Sequence, residues 1–129
     1  MIRLPTLFAA ILIATPLIAA TDAAWAAQPI SLPAKTTNDL ADLCGVPAKE
    51  AGADAKINFC HGFAQGVIEM ELRRAGDKKT FCFPNPTPTR TATMTEFTNW
   101  VRSLPANRTL PSIDGLLQFL TIRFPCKAA

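Results

Sequence analysis

The sequence predicts a small all-α protein, a four-helix domain with two disulfide bonds. Apolar residues recur at helical spacing in four segments, and glycine or proline separates these segments from one another. An export signal precedes them, and the chain that follows it contains four cysteines. An even number of cysteines in an exported chain indicates disulfide bonds.

The first 26 residues are predicted to be a signal peptide. Arg3 precedes a nearly uncharged apolar run over 7–20, and Ala24-Trp25-Ala26 gives the small-x-small pattern of a cleavage site. The run is shorter than the roughly 20 residues that span a bilayer, so a retained membrane anchor is the weaker alternative. We therefore expect cleavage after Ala26 and a periplasmic location.

Residues 27–35 contain two prolines and no periodicity, and we expect a flexible leader there. The disulfide-stapled helical domain is predicted to occupy 36–129. Its first helix should begin within 36–39, where capping residues precede the apolar Leu40 and Leu43, and should end at Gly45.

The second helix is expected to begin near Ala53 or Asp54 and to reach about Arg74, before Gly76. One broad arc of this helix is apolar and should face the core: Ile57, Cys60, Phe63, Ala64, Val67, Ile68 and Met70.

Gly62 and Gly66 lie in the same helix, beside the apolar arc. A glycine in a helix interior costs about 1 kcal/mol relative to alanine, so this pair predicts that another backbone passes close to it. His61, Gln65 and Glu69 form a polar line on the other arc, which we interpret as a solvated face.

The third helix is predicted to begin at Pro88, with Thr87 as its cap. Four residues form its inner stripe: Met94, Phe97, Val101 and Leu104.

The fourth helix should begin after Ser112 as its cap and end at Pro125. Its inner stripe is predicted to be Ile113, Leu116, Leu117, Leu120 and Phe124. Phe119 and Ile122 project from the opposite side, beside Gly115. This apolar back face indicates either deep burial or a homodimer contact, and the contact is the preferred interpretation.

Four cysteines allow three disulfide patterns, and the order of the helices favours one of them. Helices joined by short loops lie antiparallel, so the end of the first helix comes level with the start of the second. This places Cys44 near Cys60, and the same argument places Cys82 near Cys126. A zinc site is the rival interpretation, but the chain has no C-x-x-C pair.

The sequence gives little support to an enzyme, a cofactor site or a nucleic-acid-binding protein. Cys60 and His61 are adjacent, and neighbouring helical side chains diverge by about 100°, so they cannot form a nucleophile pair. Ser112 is expected to cap the fourth helix, and this role accounts for the serine without a catalytic one. The net charge of +3 is scattered along the chain and is too weak to indicate nucleic acid.

The helical segments carry a set of short motifs that resembles the Tai-type immunity proteins of type VI secretion. The motifs are Cys60-x-Gly62-Phe63-x-x-Gly66, Phe81-Cys82-x-Pro84, Trp100-Val101-x-x-Leu104-Pro105 and Phe124-Pro125-Cys126. The resemblance implies a small helical protein, often a homodimer, that binds a papain-like peptidoglycan amidase in the periplasm and occludes its cleft. It also implies that the loop between the last two helices, 104–111, enters that cleft. Asn107, Arg108 and Thr109 are then the expected partner-binding residues.

Three other functions fit the same features less well, and one of them is a binding module with no toxin partner. A periplasmic stress chaperone activated by acid would need many titratable groups, whereas the chain has one histidine. A hydrolase would have to remain active with all four cysteines in disulfide bonds.

Overall fold

The computed structural model describes residues 34–127. The predicted signal peptide and residues 27–33 of the predicted leader lie outside this range. Within it, four α-helices follow one another: α1 (Thr37–Cys44), α2 (Ala53–Ala75), α3 (Arg90–Ser103) and α4 (Ser112–Arg123). A short 3₁₀ helix, Pro105–Asn107, lies between α3 and α4. The predicted all-α fold is confirmed.

Helix α1 begins where the sequence predicts, because Thr36 and Asp39 form a capping box. The Thr36 hydroxyl accepts a hydrogen bond from the backbone N–H of Asp39, and the Asp39 carboxylate accepts one from the backbone N–H of Thr36. The helix packs against all three of the others. Its Leu40 is fully buried.

The predicted starts of the last two helices were wrong by one or two residues. Helix α3 begins after Thr89, whose hydroxyl accepts from the backbone N–H of Ala92, so neither Thr87 nor Pro88 starts it. Helix α4 begins at Ser112 itself, preceded by Pro111. The Ser112 N–H donates to the carbonyl of Lys35, so tertiary structure satisfies it and a side-chain cap is not needed.

Both predicted disulfide bonds are confirmed. Cys44 is bonded to Cys60, which joins the end of α1 to α2, and Cys82 is bonded to Cys126, which joins the α2–α3 connection to the chain after α4. Cys60 is fully buried, as predicted from its position on the apolar arc.

The buried stripe of α2 is rotated slightly from the predicted arc. It consists of Cys60, Ala64, Val67 and Glu71, whereas Met70 is 54% exposed. The buried Glu71 carboxylate accepts two hydrogen bonds from the Arg74 guanidinium, at 2.9 and 2.8 Å. The Glu71 carboxylate can be buried because this ion pair satisfies both of its oxygens.

The close backbone approach predicted at Gly62 and Gly66 was wrong for the described chain. No atom of residues 34–127 that could contact a Cβ built on either glycine lies within 4 Å of it. Such an approach occurs instead between α1 and α4. A Cβ on Gly115 would clash with the side chain of Thr37, since it would lie 2.6 Å from the Cγ2 and closer still to the Oγ1.

The back face predicted for α4 is divided between the core and the surface. Phe119 is buried, with its ring centroid 5.5 Å from that of Phe97 and 5.8 Å from that of Trp100. Ile122 is 59% exposed. Because α4 packs on α1 through Gly115 and on α3 through Phe119, it buries more than one stripe, and Phe119 is not available to a second chain.

Two positions assigned to inner stripes are exposed. Leu104 follows the last residue of α3, and Ile113 lies in the first turn of α4. Both flank the connection between these helices. Among residues 34–127, none of the helices combines the length and the hydropathy of a membrane-spanning segment.

Candidate functional site

The connection between α3 and α4, residues 104–111, is a compact loop on the surface of the domain. Its first half is the 3₁₀ turn, in which the Asn107 N–H donates to the Leu104 carbonyl and the Arg108 N–H donates to the Pro105 carbonyl. Arg108 and Thr109 are exposed, and Asn107 is half-buried. The three residues predicted to bind a partner therefore lie side by side in one turn.

The second half of the loop is hydrogen-bonded to the start of α1. The backbone N–H of Asn38 donates to the Arg108 carbonyl at 3.1 Å, and that of Thr37 donates to the Leu110 carbonyl at 2.8 Å. The Thr37 hydroxyl donates to the same Leu110 carbonyl at 3.1 Å. Since the first N–H groups of a helix have no partner within the helix, α1 can hold the loop without losing a bond of its own.

The charge of the loop region is positive. Arg102 and Arg108 are the ionisable residues between residues 102 and 111. The Arg108 guanidinium donates from Nη2 to the Arg102 carbonyl at 2.8 Å, where it caps the end of α3. The Arg108 side chain is thus exposed but oriented. A partner with acidic groups could accept its remaining donors.

The capping box at the start of α1 also supports the loop 104–111. It fixes the first turn of α1, and the Thr37 and Asn38 N–H groups of that turn donate to the loop. The hydrogen bond from the Thr36 backbone N–H lowers the pKa of the Asp39 carboxyl below its ordinary value. Asp39 is therefore ionised at neutral pH, and it accepts the Thr36 N–H as a carboxylate. The loop and the helix start together form one hydrogen-bonded unit.

A groove that the sequence did not predict lies between α2 and the start of α3. It has a volume of about 430 Å³ and an apolar floor that includes Ile68, Leu72 and Met94. His61, Gln65 and Glu69, which we interpreted as a solvated face, line one side, and the Gln65 amide donates to Glu69 at 3.0 Å. Phe83, from the α2–α3 connection, closes the groove, and such a loop position gives no periodic signal.

The residues weighed above for nucleophilic or metal chemistry have definite positions in the described region. Both sulfurs of the Cys44–Cys60 pair are bonded, so no thiolate adjoins His61. Within residues 34–127, no three His, Cys, Asp or Glu side chains are placed to hold a metal ion together.

A second exposed surface lies on the outer side of α2. The rings of Phe59 and Phe63 are half-buried, with centroids 6.1 Å apart, and Met70 follows them along the helix. Gly62 and Gly66 leave an unfilled strip beside these side chains. The result is a mixed helix face, with apolar side chains, the exposed Arg73 and open space at both glycines.

Comparison with known proteins identifies the family. A family model described as Rap1a immunity proteins matches residues 36–126, which include the whole helical domain and all four cysteines. Neither the curated proteins nor the solved structures contain a significant match to the chain. Membership in an immunity family indicates a protein that acts against a secreted effector by binding it. The chain therefore belongs to the family of Rap1a immunity proteins.

Proposed function

We propose that the protein is a periplasmic immunity protein of the Tai type, which binds a papain-like peptidoglycan amidase of type VI secretion and blocks its cleft. The observation that carries the proposal is the loop 104–111. It is exposed, positively charged and hydrogen-bonded to α1. The family supports the immunity role, and the motifs that resemble Tai-type proteins support the amidase as partner.

A loop of this kind suits an inhibitor because little conformational entropy is lost when it binds. Flexible segments are ordered on association, at a cost of roughly 0.5–1.5 kcal/mol for each immobilised side chain. Here α1 holds the backbone of Arg108 and Leu110 before any partner arrives. Leu104 and Ile113 add exposed apolar surface at the two ends of the loop.

Arg108 is the residue we expect to contribute most to binding. Arginine is enriched among the residues that dominate interfaces, because its planar guanidinium can form several hydrogen bonds and also stack. Its present bond to the Arg102 carbonyl leaves other N–H groups free to bind. Asn107 and Thr109 would add hydrogen bonds on either side.

The test is binding to a papain-like peptidoglycan amidase, produced with its catalytic cysteine replaced and taken from the neighbouring reading frame if that frame encodes one. We expect the native chain to bind it and to stop active amidase from cleaving peptidoglycan. Arg108→Glu should weaken binding at least a hundredfold. The matched control is Arg90→Glu, a charge reversal on the α2–α3 groove.

Two results would overturn the proposal. Absence of binding by the native chain would exclude the amidase as partner. Loss of binding on Arg90→Glu, with Arg108→Glu unaffected, would assign the interface to the groove instead of the loop. Recovery of the chain from the periplasm with its N-terminus at Ala27 would support the predicted export, whereas recovery from the cytoplasm with Met1 retained would contradict it.

We also propose that the protein forms a homodimer, through the outer face of α2. A two-fold axis at Gly66 would place Met70 of one chain against Gly62 of the other, since both residues lie four positions from the axis. An exposed methionine would then fill the unoccupied space at a glycine, twice per interface, which is the self-complementarity that a two-fold contact requires.

Sedimentation equilibrium separates this surface from the one first predicted on α4. Met70→Glu should convert the dimer to a monomer, and Ile122→Glu should leave it a dimer. The opposite pattern would assign the contact to the exposed end of α4. A native chain that is monomeric at all concentrations would overturn both assignments.

A further inference from the structure

The two disulfide bonds differ in their access to solvent. In the Cys44–Cys60 bond, Cys60 is fully buried and Cys44 is half-buried between α1 and α2. In the Cys82–Cys126 bond, Cys82 is exposed and Cys126 is half-buried. The second bond also lies outside the helices, so helix packing does not cover it.

A surface hollow adjoins the exposed bond on the side of Cys82. It has a volume of about 470 Å³, and its lining includes Cys82, the rings of Phe83 and Phe124, and the cations Arg123 and Lys127. Arg123 is paired with Glu96, whereas Lys127 is exposed and forms no ion pair in the described part of the chain. The hollow is large enough for a small organic molecule, and its free cation would attract a negative one.

The other sulfur of this bond has a carbonyl beside it. The Cys126 Sγ lies 3.6 Å from the backbone oxygen of Lys79. In the disulfide this sulfur has no proton to donate. Once the bond is broken and the sulfur is protonated, the same oxygen can accept a hydrogen bond from it. The oxygen does not stabilise the departing thiolate and can accept a hydrogen bond from Cys126 only after that thiolate is protonated, so the choice of Cys82 as the attacked sulfur depends on the hollow beside it.

We propose that the Cys82–Cys126 bond is a site of thiol–disulfide exchange with small anionic thiols, with Cys82 as the sulfur that is attacked. The thiolate of the small molecule enters the hollow and forms a bond to the Cys82 sulfur. The Cys82–Cys126 bond breaks, and Cys126 leaves as a thiolate that takes a proton from water. A second thiolate then attacks the small-molecule sulfur of the mixed disulfide, which releases the oxidised small-molecule disulfide and the Cys82 thiolate. The two small thiols supply both electrons.

The rest of the domain should stay folded while this bond opens. Phe81 remains buried in the core, and the Cys82 N–H still donates to the Phe124 carbonyl at 2.8 Å. The loop 104–111 is held by α1, and α1 by the Cys44–Cys60 bond. The exchange site is thus separate from the loop, and the inference does not depend on the proposed partner.

The experiment treats the folded, oxidised chain with reduced glutathione at pH 8, traps free thiols by alkylation at intervals, and maps the products by mass spectrometry. We expect the label at Cys82 and Cys126 at least ten times faster than at Cys44 and Cys60. Glutathione in the mixed disulfide should be found on Cys82. Equal rates at the two bonds, or glutathione found mainly on Cys126, would overturn the proposal.

A charge variant tests the role of the hollow. Lys127→Glu should slow the reaction with glutathione severalfold, and it should leave the reaction with the uncharged 2-mercaptoethanol nearly unchanged. Lys49→Glu, on the exposed α1–α2 connection, is the matched control and should change neither rate. An equal effect of both variants on glutathione would show that general surface charge, and not the hollow, sets the rate, which would contradict the proposed site.

Discussion

The side chain of Thr37 occupies the space that a side chain on Gly115 would need, because its Oγ1 and Cγ2 would both clash with a Cβ there. The same hydroxyl donates to the Leu110 and Pro111 carbonyls, at 3.1 and 3.3 Å. This contact therefore joins α1, α4 and the end of the loop 104–111 at a single point. The glycine permits α1 and α4 to approach closely enough for the hydroxyl to reach both carbonyls.

Gly115→Ala should lower the free energy of unfolding by about 1–3 kcal/mol, the usual cost of adding a methyl group to a packed core. Thr37 would have to move, which would also weaken its hydrogen bonds to the loop. Urea unfolding with the disulfides intact measures the change. The double variant Gly115→Ala with Thr37→Ala should recover part of the loss that the clash causes. A Gly115→Ala protein as stable as the native one would show that the two helices separate without cost.

In the monomer, Gly62→Ala should have the opposite effect and raise the free energy of unfolding by roughly 0.5–1 kcal/mol, whereas in the proposed dimer the added methyl group would meet Met70 of the second chain. The glycine lies within α2, its φ is not in the left-handed region, and the structure leaves open space for the added methyl group. Urea unfolding at several protein concentrations separates this effect from dimerisation. A loss of stability that does not depend on concentration would mean that the helix interior is more crowded than the structure shows.

Asp39→Asn should destabilise the protein at neutral pH and much less in acid. The hydrogen bond from Thr36 lowers the pKa of the Asp39 carboxyl in the folded state. Because the pKa of Asp39 is lower in the folded state than in the unfolded state, its carboxylate stabilises the fold at any pH above the unfolded-state pKa. This stabilisation is lost as the pH falls through the folded-state pKa. The stability difference between the native chain and Asp39→Asn should therefore shrink below about pH 4. A constant difference between pH 7 and pH 2 would assign the effect to the neutral hydrogen bond alone.

Removal of either disulfide should lower the free energy of unfolding by an amount that follows the length of the loop it closes. The Cys44–Cys60 and Cys82–Cys126 bonds close separations of 16 and 44 residues. In the chain-entropy model these correspond to about 3 and about 4 kcal/mol. Paired alanine replacements, measured by thermal and urea unfolding, test the order. A larger loss for the Cys44–Cys60 pair would indicate that packing around the buried Cys60 outweighs chain entropy.

The helices and the disulfide pairing could be predicted because both depend on local signals. The capping residues of α1, the spacing of apolar residues and the antiparallel order of neighbouring helices are all visible in the sequence. The exact starts of α3 and α4 are less visible. Thr87 and Thr89 can both cap α3, and the partner of the Ser112 N–H is Lys35, which is distant in sequence.

The surfaces were harder to predict because they depend on how the helices pack. The burial of Phe119 requires α4 to pack on two neighbours, and a helical wheel assumes one core direction. The α2–α3 groove requires Phe83, which lies in a connection without periodicity. The location of the candidate loop, 104–111, was predicted from the resemblance to Tai-type immunity proteins. Its attachment to α1 came from hydrogen bonds across more than 70 residues of sequence, such as that of Thr37 to Leu110.

The pairing of Thr36 with Pro111 has a practical consequence for work on this protein. The chain enters the domain directly beside the candidate partner-binding loop, and it leaves after Cys126, about 18 Å away at the far end of α4. An affinity tag or fluorophore placed just ahead of Lys35 would compete with an incoming partner for room. One attached after Lys127 would leave that surface clear, so binding assays should use carboxy-terminal labels.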